Sequence, residues 1–191
     1  MKTLIIFSHP SPKSFNAAIL DVVKEQLAKK NAEIRVKDLY AMNFDPVLSA
    51  TDLEQLFSGK TPEEIAKEQA DVAWAEQIIF ISPIWWASVT SMMRGYIDRV
   101  FQNGFAFRYT ATGIEGLLKN KRALAITTSG AAKEYGGPLV ELVKAQLIGG
   151  YCSTCGISDA KYMNLYNVPR SSDDERKQML ADVAKFVEEN A

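Results

Sequence analysis

Lys2-Thr3-Leu4-Ile5-Ile6-Phe7-Ser8 is a continuous apolar run that stops at turn residues, followed at once by Ser8-His9-Pro10-Ser11-Pro12-Lys13-Ser14-Phe15-Asn16. A run without polar alternation reads as a strand buried on both faces, the form taken by strands inside a parallel sheet. The stretch after it, Asn16–Lys30, places Ile19, Leu20, Val23 and Leu27 at three- and four-residue spacing, which predicts an amphipathic helix. Strand, polar loop and helix in this order form the first unit of an alternating α/β chain.

The same alternation continues outward from this unit. Glu33–Leu39 alternates apolar and polar residues and reads as a strand less covered on one side. Tyr40–Ser58 is irregular. Thr61-Pro62-Glu63-Glu64 has the form of a capping box, with Thr61 as N-cap, and opens a helix to Trp74. Gln77–Ser82 is the third strand, Pro83–Ser91 a loop, and Met92–Phe101 a helix. Gly104–Thr110 alternates, as for a short excursion or hairpin. Arg122–Thr128 is the fourth strand, and Gly136-Gly137-Pro138 starts a helix that runs to about Ile148. Lys161–Tyr166 is the fifth strand. Ser171-Ser172-Asp173-Asp174-Glu175 opens a last helix that reaches Val187. Five strands with intervening helices predict a three-layer α/β sandwich with a parallel sheet in the order 2-1-3-4-5. With no linker or repeat visible, residues 1–191 read as one domain.

Composition narrows the function classes. With 22 Lys+Arg against 23 Asp+Glu the net charge is −1, so no field favours nucleic acid or an anionic membrane. It also lacks the strong charge expected of a dedicated electron carrier. No apolar run approaches the roughly 18 residues of a membrane span. Leu4–Phe7 is too short for a signal peptide, so a cytoplasmic protein is expected. The only two cysteines, Cys152 and Cys155, end a helical stretch just before Gly156. Redox C-x-x-C pairs sit at helix starts, and zinc would need two more ligands, so ordinary packing and no metal are expected.

In open parallel sheets ligands bind at the carboxyl ends of strands, near the point where strand order reverses. Three loops are therefore of interest. Ser8–Asn16 offers hydroxyls, an amide and helix-start N–H groups, either for an anion or simply as helix caps. It matches neither G-x-G-x-x-G nor the phosphate loop G-x-x-x-x-G-K-[ST]. His9, the only histidine, lies in it, as a cofactor contact or a hydrogen-bonded structural residue. Ser82–Val89 carries Trp85 and Trp86, an aromatic wall suited to a flat heterocycle or, alternatively, a core or interface anchor. Thr127–Gly137 is rich in small residues that let a ligand approach the backbone, and it contains Tyr135; the same composition also suits a plain surface turn.

Taken together, S-H-P-S-P-K-S-F-N, S-P-I-W-W-A-S-V, M-M-R-G-Y-I-D-R-V-F, N-G-F-A-F and T-T-S-G-A-A-K-E-Y-G, in this order across residues 2–168, resemble the flavodoxin-like NAD(P)H:quinone oxidoreductase family and, more loosely, the FMN azoreductases. The resemblance implies a flavin held at its phosphate region by His9, Ser14, Phe15 and Asn16. It implies a ring lined by Pro83, Ile84, Trp85 and Trp86, with its polar edge at Thr127, Thr128, Ser129 and Gly130. Tyr135 would stand beside the ring as the catalytic residue. FMN is implied ahead of FAD, with NADPH or NADH as donor, a quinone or similar aromatic acceptor, and a homodimer. Two positions depart from the family: Ser129 stands where glycine is common, and Pro138–Leu142 lacks the histidine that often follows the tyrosine. Two other readings remain beside the enzyme: a flavodoxin-type electron carrier, and a redox-sensing ancillary subunit of a potassium efflux system.

Overall fold

The three most apolar runs lie side by side in the computed structural model, which describes residues 1–191. In chain order the elements are β1 (Lys2–Phe7), α1 (Phe15–Lys29), β2 (Glu33–Asp38), α2 (Ala50–Phe57), α3 (Glu63–Trp74), β3 (Gln77–Pro83) and α4 (Ser91–Val100). They continue with β4 (Phe107–Thr110), β5 (Gly113–Gly116), β6 (Arg122–Thr128), α5 (Lys133–Lys144), β7 (Asp159–Leu165) and α6 (Asp173–Asn190). The main sheet has the order β2-β1-β3-β6-β7 and every pairing in it is parallel. Counted over its own strands this is the expected 2-1-3-4-5. β4 and β5 form a separate antiparallel hairpin; the alternating Gly104–Thr110, expected to be a short excursion or hairpin, supplies only its first strand, and the second lies beyond it.

Side chains of a strand alternate between faces, so each buried strand feeds two cores. On one face Ile5, Phe7, Ile79, Ile81, Leu124 and Ile126 pack with Ile19, Val23 and Leu27 of α1 and Val183 and Val187 of α6. On the other, Leu4, Ile6, Ile78, Phe80, Ala123 and Ala125 pack with Ile65 and Val72 of α3, Met93, Tyr96, Ile97 and Val100 of α4, and Val143 of α5. The result is three layers, with the central strands dry on both sides.

The structure corrects three local readings. The irregular Tyr40–Ser58 contains α2, opened by a capping box in which Ser49 and Asp52 satisfy each other's backbone N–H groups. The expected cap at Thr61 is absent: α3 starts at Glu63 after Pro62, with no side-chain cap. Glu64, the residue that would have closed that box, instead meets Arg99 Nη2 at 2.7 Å. The helix expected from Gly136 begins earlier, at Lys133, and carries Pro138 inside it. Gly136 donates its N–H to the Ala132 carbonyl, so the glycines continue a helix that is already running. After Lys144 the chain winds on as a π-helical segment, Ala145–Cys152.

Arg99 fastens the α2 region to α4. Its buried guanidinium meets Asp52 through Nε and Nη2, both at 3.2 Å, and donates to the Asp45 carbonyl at 2.9 Å. Burial alone would raise the Asp52 carboxyl, but the Ser49 and Arg99 contacts outweigh it and hold it below the usual carboxylate value. Its stabilising contribution is therefore complete at neutral pH and is lost as pH falls through that lowered value. Asp52→Ala leaves the buried guanidinium short of one partner and is expected to cost about 2–4 kcal/mol. Urea unfolding at neutral pH checks this, and an unchanged midpoint would show that Glu64 and the Asp45 carbonyl suffice.

Candidate functional site

A cavity of about 340 Å³ opens at the carboxyl ends of β1, β3 and β6. The chain leaves β1 toward one edge of the sheet and resumes at β3 on the other side, so this is the reversal point of the strand order. His9, Phe15 and Asn16 line it from the loop after β1, and Pro83, Ile84 and Trp85 from the end of β3. Thr128, Ser129 and Gly130 line it from the end of β6. Val168 and Pro169, from the turn after β7, close it on a fourth side. The sequence reading did not anticipate this wall. Its only trace is Asn167-Val168-Pro169 between a strand and a capped helix, with Asn167 in the left-handed region at φ 57°.

Four expected site residues stand outside this lining. Ser14 is the N-cap of α1 and accepts the Ala17 N–H at 3.1 Å. Thr127 is buried behind the cavity wall, within 2.8 Å of both Tyr162 and Asn164. Trp86 is fully exposed: Trp85 and Ser88 exchange two backbone hydrogen bonds around a tight turn whose centre is Trp86 and Ala87, at φ 50° and 56°. Such a turn normally takes Asn-Gly, so two side-chain-bearing residues there store strain while directing the Trp86 indole outward. Tyr135 lies in the first turn of α5 and is 85% exposed, five residues beyond Gly130.

Hydroxyls at the strand ends pin these loops. Ser8 Oγ and Thr90 Oγ1 share a buried hydrogen bond, and Ser82 Oγ accepts the Thr90 N–H at 3.3 Å. Thr90 then caps α4 by accepting from Met93 at 3.2 Å. The Trp85 loop is thereby tied to β1, β3 and α4 together. Asn16 crosses the cavity floor and donates through Nδ2 to Thr128 Oγ1 at 2.9 Å, while its Oδ1 is buried without a partner. The Ser14 side chain and carbonyl occupy the N–H groups of Ala17 and Ala18, which leaves those of Phe15 and Asn16 open at the helix start.

An unpaired buried acceptor, two free N–H groups at a helix N-terminus and aromatic walls from Phe15 and Trp85 suit one kind of ligand. It is flat and heteroaromatic, with an edge N–H and an anionic tail. A flavin has these features. A larger apolar cleft of about 570 Å³ runs between α2, the end of α4, the β4–β5 hairpin and the π-helical segment. Its lining includes the unpaired Gln102 amide and Tyr151 hydroxyl, but it lies away from the strand ends and the open N–H groups of α1, so the smaller cavity at the strand-order reversal is the stronger candidate. Cys155 borders that cleft. Burial pushes the Cys152 and Cys155 thiols up to about 12 and about 11, so neither is a ready nucleophile.

Burial favours the neutral form of His9. Its Nδ1 accepts the Ser11 N–H at 3.0 Å, and its ring meets Trp85 edge-on at 5.9 Å. Burial lowers its pKa below the usual imidazole value, and the nearby Ser11 carbonyl only partly opposes this. A lowered folded value means that protonation, as pH falls below the unfolded range, weakens the folded state. As the chain has a single histidine, its ring carbon proton gives one NMR signal, and that signal is expected to titrate with a midpoint below the usual imidazole value. A midpoint above it would mean that the imidazolium is stabilised at the cavity mouth.

Comparison with known proteins agrees with this architecture. A family model described as flavodoxin-like fold matches residues 1–187. An NAD(P)H oxidoreductase of Haemophilus influenzae is 33% identical over 94% of this chain and 91% of its own. The ribosyldihydronicotinamide dehydrogenase [quinone] of Mus musculus is 32% identical over 96% of this chain and 89% of its own. Among solved structures, Smu.1420 from Streptococcus mutans superimposes with a TM-score of 0.89 at 38% identity, covering 99% of this chain and 100% of that one. With near-complete coverage in sequence and in structure, the chain belongs to the flavodoxin-like fold family that includes the NAD(P)H and quinone oxidoreductases.

Proposed function

We propose that this protein is a flavin-dependent NAD(P)H oxidoreductase that delivers two electrons to quinones or similar flat aromatic acceptors. The observation that carries the reading is the cavity at the strand-order reversal, where aromatic walls, open helix-start N–H groups and the unpaired Asn16 acceptor converge. The names of the relatives support the same reaction class. Residues 1–191 are taken as one flavin-binding domain. FMN is the favoured cofactor, because its single phosphate matches the one helix N-terminus at the cavity; FAD is the alternative. The donor is NADH or NADPH.

A bound flavin supplies the two-electron chemistry, taking the pair from the nicotinamide and giving it to the acceptor in turn. The chain's own residues do the rest. Phe15 and Asn16 present N–H groups to the anionic tail. Trp85 and Ile84 supply apolar surface and exclude water, and Thr128, Ser129 and Gly130 offer hydroxyl and backbone groups to the polar edge. One open side of the cavity would serve donor and acceptor alternately, which implies ping-pong kinetics and selection by shape. A homodimer accompanies this reading. The exposed Trp86 and Tyr109 add apolar surface that a second copy would cover, next to Trp85 and the Phe105–Tyr109 segment. The two free, buried thiols suit a cytoplasmic setting, and no helix is long and apolar enough to cross a membrane.

Light scattering with in-line absorbance tests cofactor and assembly together. A yellow particle of twice 21.2 kDa is expected, with NADH or NADPH oxidation on addition of benzoquinone. A colourless protein that takes up neither FMN nor FAD removes the proposal, and an active monomer removes only the dimer. Tyr135 is proposed as a hydroxyl donor near the ring, acting without a histidine relay. Tyr135 is exposed, so this role requires a ligand or the second protomer to cover it. Tyr135→Phe is expected to slow flavin reduction about 3- to 30-fold in stopped flow with flavin content unchanged. Reduction and turnover equal to wild type would return Tyr135 to the ordinary surface.

A further inference from the structure

Behind the β6 wall of the cavity, three hydroxyls and one amide form a chain whose direction follows from counting protons. Tyr162 Oη lies 2.7 Å from Thr127 Oγ1, Thr127 Oγ1 2.8 Å from Asn164 Oδ1, and Asn164 Nδ2 3.1 Å from Ser129 Oγ. Burial pushes the Tyr162 phenol up to about 12, so it keeps its proton throughout the neutral range. Thr127 is the only side-chain partner of that phenol, so Tyr162 donates to Thr127. Thr127 then gives its own proton to the Asn164 carbonyl oxygen, which can only accept. The Asn164 amide nitrogen, which can only donate, points at Ser129 Oγ. Reversing every bond would leave the proton of the half-buried Tyr162 phenol without a protein acceptor and would ask the Asn164 carbonyl oxygen to donate, which it cannot do.

The arrangement leaves one proton over, that of the Ser129 hydroxyl. Ser129 is buried, lines the cavity, and makes no other side-chain hydrogen bond. Its backbone is fixed on both sides: its N–H donates to the Leu165 carbonyl at 2.8 Å and its carbonyl accepts from Val168 at 3.1 Å. The backbone is thereby fixed, the Asn164 amide holds the side-chain oxygen, and accepting from Asn164 commits that oxygen but not its proton.

We propose that Ser129 is a specificity-determining donor whose hydroxyl proton is directed into the flavin cavity by Asn164, Thr127 and Tyr162, favouring the reduced, anionic form of the ring over the oxidised one. This rests on the flavin reading above. Two-electron reduction with uptake of one proton adds one negative charge to the ring, and a fixed donor in a dry site interacts more strongly with the charged form. Asn164, Thr127 and Tyr162 are positioning residues that touch no ligand. A glycine in place of Ser129 would lack the donor altogether.

The test is the affinity of the apoprotein for FMN in two redox states, read by titration with oxidised FMN and, under argon, with dithionite-reduced FMN. Ser129→Ala is expected to hold oxidised FMN within about twofold of wild type and to weaken reduced FMN about tenfold. That ratio lowers the midpoint potential of the bound flavin by about 30 mV. Ser129→Thr, which keeps the hydroxyl, should restore the wild-type ratio. Asn164→Leu should shift it in the same direction as Ser129→Ala. Equal weakening of both states would show that Ser129 only shapes the wall, and an unchanged ratio would show that its proton points elsewhere; either result overturns the proposal. Wild-type protein that binds FMN in neither state would instead remove the flavin reading, and this inference with it.

Discussion

Burial of β1, β3 and β6 on both faces is the constraint from which the rest of the structure follows. Ile5, Ile6, Ile79, Leu124 and Ile126 are almost completely shielded from solvent, so no backbone group among them can turn to water. The in-register parallel pairing of these strands is what satisfies those groups. Parallel pairing sends every return connection across a face of the sheet and leaves every carboxyl end at one edge. The helices covering the two faces and the cavity at that edge are thus two consequences of a single hydrogen-bonding requirement.

At that edge the apolar pattern gives way to hydroxyls. Ser8 follows the last residue of β1, Ser82, Thr127 and Thr128 are the last or near-last residues of β3 and β6, and all are buried. Small side chains that both donate and accept can satisfy loop backbones at close range where a longer polar chain would not fit. The Ser8–Thr90–Ser82 cluster fixes the Trp85 loop, while the Asn16–Thr128 bond ties α1 to β6. A ligand therefore meets a surface whose backbone is already ordered, and the entropy of arranging it is spent in folding rather than in binding.

The buried and half-buried ion pairs lie away from the cavity. Arg99 of α4 pairs with Asp52 of α2 and Glu64 of α3, and Lys37 of the edge strand β2 pairs with Glu68 and Asp71 of α3. The cavity itself is lined by no lysine, arginine or carboxylate. An anionic tail is then met by helix-start N–H groups, which are fixed and weakly hydrated, and a flat ring by apolar walls. Such a site discriminates by shape and hydrogen-bond direction rather than by net charge, consistent with the chain's own near-neutrality.

Local pattern determined the elements that bury the most surface. The runs at Lys2–Ser8, Gln77–Ser82 and Arg122–Thr128, and the spacing of Ile19, Val23 and Leu27, declare strand and helix because periodicity is a property of neighbours in the chain. From them the sheet order and the edge that carries His9, Asn16, Trp85 and Ser129 could be read in advance. Tertiary structure alone decided where contacts between distant residues outweigh local signals. Thr61 fails as a cap because Glu64 is drawn to Arg99, 35 residues away. Gly136 and Gly137 lie within a helix because Ala132 has already started it. Val168 and Pro169 become a cavity wall because β7 ends beside β6. Tyr135 points to solvent, and Ser129 gains a direction for its proton from Asn164, 35 residues away. In each case the deciding partner is close in space and far in sequence, so no window of neighbouring residues contains it.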